Sequence, residues 1–120
     1  MNSGTSGGSP TADDALVARQ LIAILNDPDA PEGDRLDAAS DLEFHSGAWF
    51  EQEIFEILRR ERFASVLAQL CAESLAGTWA RQGRIDQDFF SELRGPALDE
   101  VLGILGARAA HLIPAGPENV

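Results

Sequence analysis

The sequence AASDL at residues 38–42 returns as CAESL at residues 71–75, which is 33 positions later. The same offset relates two sets of apolar residues, Leu21, Ile24 and Leu25 in the first copy and Ile54, Ile57 and Leu58 in the second. Each copy therefore reads as an apolar helix, a connection, and a second helix with two small residues ahead of a leucine. A constant period of this length is typical of helical repeats, whose units bury their apolar faces against one another.

The paired small residues suggest where neighbouring helices meet. Small side chains with a leucine one turn away allow another helix to approach closely. We therefore predict that Ala39 and Ala72 lie at contacts between successive helix pairs. In the alternative, an irregular six-helix bundle, the same alanines only fill space.

Apolar residues spaced three and four apart predict about six helices and an all-α fold of stacked antiparallel helix pairs. The strand signal is weak, because the chain has no Tyr, three Thr and four Val. We expect one helical domain at residues 12–113, after a disordered Gly- and Ser-rich lead at 1–11 and before a frayed tail at 114–120. The predicted helices cover residues 13–26, 34–44, 49–60, 62–81, 86–93 and 95–112.

The first copy, LIAILNDPDAPEGDRLDAASDL at residues 21–42, resembles the HEAT-repeat family of α-solenoids. The resemblance rests on an apolar helix, an Asp-Pro turn, and Arg35 three residues before the double alanine. The second copy keeps the Ala and Leu positions but lacks the Asp-Pro turn and has Ala68 at the Arg35 position. A third copy at about residues 86–112 matches only loosely. The resemblance implies a stacked helical protein that binds partners and has no catalytic residues.

The stretch CAESLAGTW at residues 71–79, followed by a short turn and a further amphipathic helix, is similar to HEAT-like immunity proteins of bacterial toxin systems. Those proteins are small, acidic, cytoplasmic and non-catalytic. The similarity implies an inhibitor that covers a basic active site of a toxin, such as a nuclease cleft. Such an inhibitor should be a monomer on its own.

The formal net charge is −11, and all nine basic residues are arginine. This balance argues against nucleic acid and against an anionic membrane surface as partners, since both are bound by clustered basic residues. It favours a basic protein partner. The chain has no apolar run long enough to span a membrane, no secretory signal, and a single cysteine, Cys71. We therefore expect a cytoplasmic protein.

The sequence contains no pattern of residues typical of an enzyme or of a cofactor site. His45 and His111 are 66 residues apart and share no metal-ligand spacing. The acidic stretch DPDAPEGD at residues 27–34 places Pro31 and Ala38 where a calcium-binding loop needs oxygen ligands. There is no glycine-rich phosphate loop. The sequence thus predicts neither catalysis, nor a metal, nor a cofactor.

Charge is distributed unevenly, with ten acids and one base, Arg35, between Asp27 and Glu56. We predict that a subset of these acids docks a basic protein surface: Asp34, Asp37, Asp41, Glu43, Glu51 and Glu53. Two other functions remain open at this point. The protein could be an adaptor or scaffold subunit of a larger complex, or a regulator that binds a small ligand among Trp49, Trp79 and Phe90.

Overall fold

A computed structural model describes residues 12–114 of the chain, and every regular element in that range is helical. The all-α prediction is therefore confirmed. The predicted lead at residues 1–11 lies outside the described residues, as does the predicted tail apart from Pro114. The helices are α1 (Ala12–Asn26), α2 (Glu32–Asp41), α3 (Ala48–Arg60), α4 (Val66–Gln82), α5 (Gln87–Phe90) and α6 (Gly95–Arg108), with 3-10 turns at Leu42–Phe44 and Ala110–Leu112.

The helices are arranged as stacked pairs. Helix α1 packs on α2 and helix α3 packs on α4, while α1 also contacts α3. Helix α4 lies between α2 and α6 and contacts both, so these three helices form one layer. This arrangement places α2 at one edge of the layer, with one side against its neighbours and the other side exposed.

The positions that repeat in the sequence are buried in both copies. Leu25 and Leu58 are fully buried, and so are Ala39 and Ala72. At Ala39 helices α2 and α4 approach each other closely, because the Ser74 hydroxyl of α4 donates a 2.7 Å hydrogen bond to the Ala39 carbonyl. The absence of bulk at Ala39 thus lets a side chain of α4 reach the backbone of α2.

Helix α4 has a second small-residue stripe on its opposite side. Ala68, Ala72 and Ala76 recur every four residues and are fully buried. Because Ser74 and the residues a turn from it face α2, this stripe faces away from α2 and toward α6. Helix α6 buries Ala97, Val101 and Leu105 at the same four-residue spacing. Small residues on α4 allow these two helices to make the most extensive helix contact in the described chain.

The predicted start of the fourth helix at Arg62 is wrong, because residues 61–65 form a turn and α4 begins at Val66. The turn is a Schellman motif, in which the Arg62 and Phe63 N–H groups bond to the Arg59 and Leu58 carbonyls, each at 3.0 Å. Arg62 and Phe63 both have the left-handed backbone, with φ of 56° and 60°. Phe63 is nevertheless buried. Its spacing from the apolar residues of α4 therefore matches that of a helix, although its backbone is not helical.

The helical spacing of Leu16, Val17, Leu21, Ile24 and Leu25 predicts one apolar face for the first helix, and this prediction is wrong in the first turns. Leu16 and Val17 are exposed by 53% and 42%, whereas Ala18, Ile22 and Leu25 are buried. The buried residues are four and three apart and define a single stripe. Leu16 lies on the opposite side of the helix from Ala18, so α1 carries apolar residues that the described chain does not cover.

Candidate protein-binding surface

Helix α2 presents three aspartates on its exposed side. Asp34, Asp37 and Asp41 are three and four residues apart, so their side chains leave the helix in one direction. All three are exposed, while Ala38 and Ala39 point into the core. We call Asp34, Asp37 and Asp41 the aspartate face.

The carboxylates of the aspartate face make no ion pair or hydrogen bond to any other residue in the described range. Arg35, the single base of the surrounding stretch, is directed elsewhere. Its Nη2 donates a 3.2 Å hydrogen bond to the carbonyl of Leu25, in the last turn of α1. Carbonyls there have no partner within their own helix, so Arg35 caps α1 and leaves the aspartates without a counterion among the described residues.

The aspartate face opposes local helix stability. Like charges three and four residues apart repel each other by a few tenths of a kcal/mol per pair. Asp34 lies in the first turn of α2, where the helix dipole favours a negative charge, but Asp41 ends the helix, where the dipole disfavours it. Helix α2 has no basic residue in its last turn. The arrangement therefore weakens α2 locally, which is typical of residues whose role lies in binding.

Glu43, another predicted site residue, makes contacts with two other helices. Its carboxylate lies 3.7 Å from Arg81 of α4 and 3.4 Å from Arg108 of α6. Its backbone carbonyl accepts hydrogen bonds from Arg81 Nη2 at 2.6 Å and from the Thr78 hydroxyl at 3.4 Å. The side chain lies over Gly77, where a Cβ would come within 2.5 Å of it. Glu43 thus ties the end of α2 to α4 and α6.

The remaining two predicted acids lie on α3 and are half-buried. Glu51 accepts a hydrogen bond from the indole N–H of Trp79, a fully buried core residue. The Glu53 carboxylate has no ion pair with any described residue. Of the six predicted acids, the structure therefore brings three together on one free surface and gives Glu43 and Glu51 partners within the protein.

Two exposed aromatic residues flank the connection from α2 to α3, and we call Phe44 and Trp49 the aromatic pair. Phe44 is exposed by 77% and Trp49 by 51%. Their neighbours turn inward, since the His45 and Phe50 rings meet edge to face with centroids 5.8 Å apart. Sequence reasoning overlooked Phe44 and placed Trp49 in a pocket. Both residues flank the break between two predicted helices at His45, Ser46 and Gly47, and this position could have identified them as exposed.

The three aromatics predicted to wall a ligand pocket do not do so together. Trp79 is fully buried with its ring edge to face against Phe55, whereas Trp49 lies on the surface. A nearby depression is lined by other residues, among them His45, Phe50 and Glu51, and its volume of about 10 Å³ holds roughly one water molecule. This depression is too small for an organic ligand.

The side chains of residues 13–114 include neither a metal-binding cluster nor an activated cysteine. No group of three or more His, Cys, Asp or Glu residues in this range is placed to hold a metal ion. Burial raises the pKa of the Cys71 thiol to about 12, so it stays protonated at neutral pH and is a poor nucleophile. None of the described helices is long and apolar enough to cross a membrane.

Comparisons with protein-family models, with curated protein sequences and with solved structures find no match to this chain.

Proposed function

We propose that the protein is a non-catalytic binding module whose aspartate face docks a basic surface of another protein. The most specific form of this proposal is an immunity or inhibitor protein that covers the basic active site of a toxin. The observation that supports it is that Asp34, Asp37 and Asp41, on one side of α2, have no ion pair or hydrogen bond from their carboxylates to any residue that the structure describes. Net charge alone would not distinguish this surface from any other acidic one.

Tertiary contacts offset the local weakness of α2 and fix its position. The Ser74–Ala39 hydrogen bond holds the buried side of helix α2, and the contacts of Glu43 with α4 and α6 hold its end. Charges on a fixed helix keep their spacing, so little side-chain and backbone freedom is lost on binding. An unpaired acidic surface speeds the encounter with a basic partner and sets specificity more than it adds affinity.

The test is capture of partners from the protein's own cells at low and high salt, followed by binding measurements on the purified pair. We expect one basic protein whose association rate falls steeply as salt rises. The triple variant Asp34→Asn, Asp37→Asn, Asp41→Asn should slow association at least tenfold. A matched control removes three exposed acids elsewhere, Glu73→Gln, Asp88→Asn and Asp99→Asn. If both triple variants slow binding equally, only net charge matters and the aspartate face is not the site.

A second function, an adaptor subunit, is favoured by the exposed apolar residues Leu16 and Val17 on α1. Helix α1 contacts α2 and α3, and a further helix could cover its exposed side. An interface there would be apolar and would resist salt. Leu16→Ser combined with Val17→Ser should abolish capture of such a partner while the aspartate-face variant retains it.

A further inference from the structure

We infer that the aromatic pair is an arginine-recognition site, which makes the docking surface prefer arginine over lysine in its basic partner. This inference rests on the proposed function, because the aspartate face supplies the charge that brings the partner in. It adds the side-chain chemistry that the surface selects.

The exposure of the aromatic pair follows from the backbone on both sides of Gly47. His45 is extended, with φ −127° and ψ 161°, so consecutive side chains point in opposite directions and Phe44 faces out as His45 faces in. Gly47 has φ 127°, which favours glycine, and it leads directly into α3. Phe50 then faces the core beside His45, and its neighbour Trp49 faces solvent. His45 and Phe50 thus pack together on the core side of the connection, and Phe44 and Trp49 remain exposed on the other side.

Both aromatic residues are attached to fixed backbone. Phe44 follows Glu43, whose carbonyl accepts hydrogen bonds from two residues of α4. Trp49 lies in the first turn of α3, where the Glu51 N–H donates a 2.9 Å hydrogen bond to the Gly47 carbonyl. Rigid aromatic side chains give contact area at low entropic cost, and Trp is enriched among residues that dominate binding energy.

The local charge selects a cationic occupant. Asp41 of the aspartate face precedes Phe44 by three residues, less than one helical turn away along the chain. The two basic residues that contact this segment, Arg81 and Arg108, are both within ion-pair distance of the Glu43 carboxylate. A positively charged side chain that contacts Phe44 is therefore close to Asp41, which has no ion-pair partner among the described residues.

Guanidinium fits this combination better than ammonium. It is planar and weakly hydrated, so it stacks on an aromatic face while its N–H groups bond to a carboxylate, whereas the ammonium of lysine is compact and strongly hydrated. The protein itself contains contacts between a guanidinium group and an aromatic ring. The guanidinium carbons of Arg59 and Arg94 lie 5.2 Å and 5.0 Å from the ring centres of Phe89 and Phe63.

The experiment compares binding of octa-arginine and octa-lysine peptides of equal charge to the folded full chain by isothermal titration calorimetry. We expect the native protein to bind octa-arginine about threefold to tenfold more tightly, which is the factor that one or two partly exposed cation–π contacts provide. Phe44→Ser and Trp49→Ser should each bring the ratio toward one and change octa-lysine binding little.

The matched control is Val66→Ser, which removes an apolar side chain exposed by 58% at the start of α4. Val66 lies about 18 Å along the helix axis from Thr78, which contacts the segment before Phe44. The Val66→Ser variant should therefore leave the ratio of octa-arginine to octa-lysine affinity unchanged. Acrylamide quenching provides an independent readout, since octa-arginine should shield Trp49 while the buried Trp79 stays insensitive.

The outcomes separate the two proposals. Equal affinity for the two peptides, with binding lost in the aspartate triple variant, would overturn the arginine site and leave the acidic docking surface intact. An arginine preference that survives in both aromatic variants would also overturn it. Absence of binding by either peptide would count against both proposals.

Discussion

Replacing Gly77 with alanine brings two effects of similar size into opposition. Gly77 lies within α4, where glycine is less favourable than alanine by about 1 kcal/mol. Alanine should therefore stabilise the helix. A Cβ at this position, however, would lie 2.5 Å from Cδ of Glu43 and 2.7 Å and 2.8 Å from its two carboxylate oxygens. The Glu43 side chain must move away.

Movement of Glu43 breaks its ion pairs with Arg81 and Arg108. Both pairs are partly exposed, so each contributes about 0.2–1 kcal/mol. The loss of about 0.4–2 kcal/mol offsets the gain in helix propensity. We expect Gly77→Ala to change the free energy of unfolding by between about +0.6 and −1 kcal/mol, and so to fall short of the full gain in helix propensity. In a Glu43→Ala background, where nothing obstructs the Cβ, the same substitution should stabilise by about 1 kcal/mol.

Urea unfolding followed by far-ultraviolet circular dichroism, applied to all four members of this double-mutant cycle, measures the coupling. Gly103→Ala in α6 is the matched control, because no atom lies within 4 Å of a Cβ added there. It should stabilise both backgrounds equally. A coupling energy below about 0.3 kcal/mol, the usual error of additivity, would refute the reasoning, because Glu43 would then not be packed on Gly77.

Three further predictions concern the turn, the cysteine and the helix contact. Arg62→Gly should raise the free energy of unfolding by about 1 kcal/mol, because Arg62 has φ 56°, whereas Arg60→Gly, in the last turn of α3, should lower it by a similar amount; urea unfolding measures both. Cys71 is fully buried and its pKa is raised to about 12, so at pH 8 an aromatic disulfide reagent should modify it only as fast as the protein opens; rapid modification without urea would contradict its burial. Ala39→Glu should destabilise the protein by several kcal/mol because it buries an unpaired charge, while Ser40→Glu at the exposed neighbouring position should have little effect on the thermal midpoint.

The proposed functions use different parts of one scaffold. The aspartate face lies on α2 and the aromatic pair lies between the end of α2 and the first turn of α3, while the exposed apolar residues Leu16 and Val17 lie on α1. Salt dependence therefore separates them experimentally. Charged contacts weaken as ionic strength rises, and apolar contacts do not.

Much of the fold could be predicted from the spacing of apolar residues. A helix buries one stripe, and the period of 3.6 residues records that stripe in the sequence. The 33-residue offset correctly marked Leu25, Leu58, Ala39 and Ala72 as buried. Cys71 is four residues from both Leu67 and Leu75, which is the spacing of one helical stripe, and it is buried.

Periodicity failed where tertiary contacts decided the conformation. Phe63 fits the spacing of α4, yet it caps α3 because its carbonyl accepts the Ala97 N–H of α6 and Arg94 lies over its ring. Leu16 and Val17 have the spacing of core residues but face no neighbouring helix that the structure describes. In each case the position of the side chain depends on contacts with residues that are distant in the sequence, or on the lack of such contacts.

The sequence by itself determined the acidic character of the chain and the spacing of Asp34, Asp37 and Asp41 on one side of a helix. Which acids remain free for a partner was decided by the tertiary structure alone. Glu43 is held by Arg81 and Arg108, and Glu51 by Trp79. Those pairings join residues that are 28 to 65 positions apart, and such contacts exist only once the helices have packed, so local sequence patterns do not reveal them.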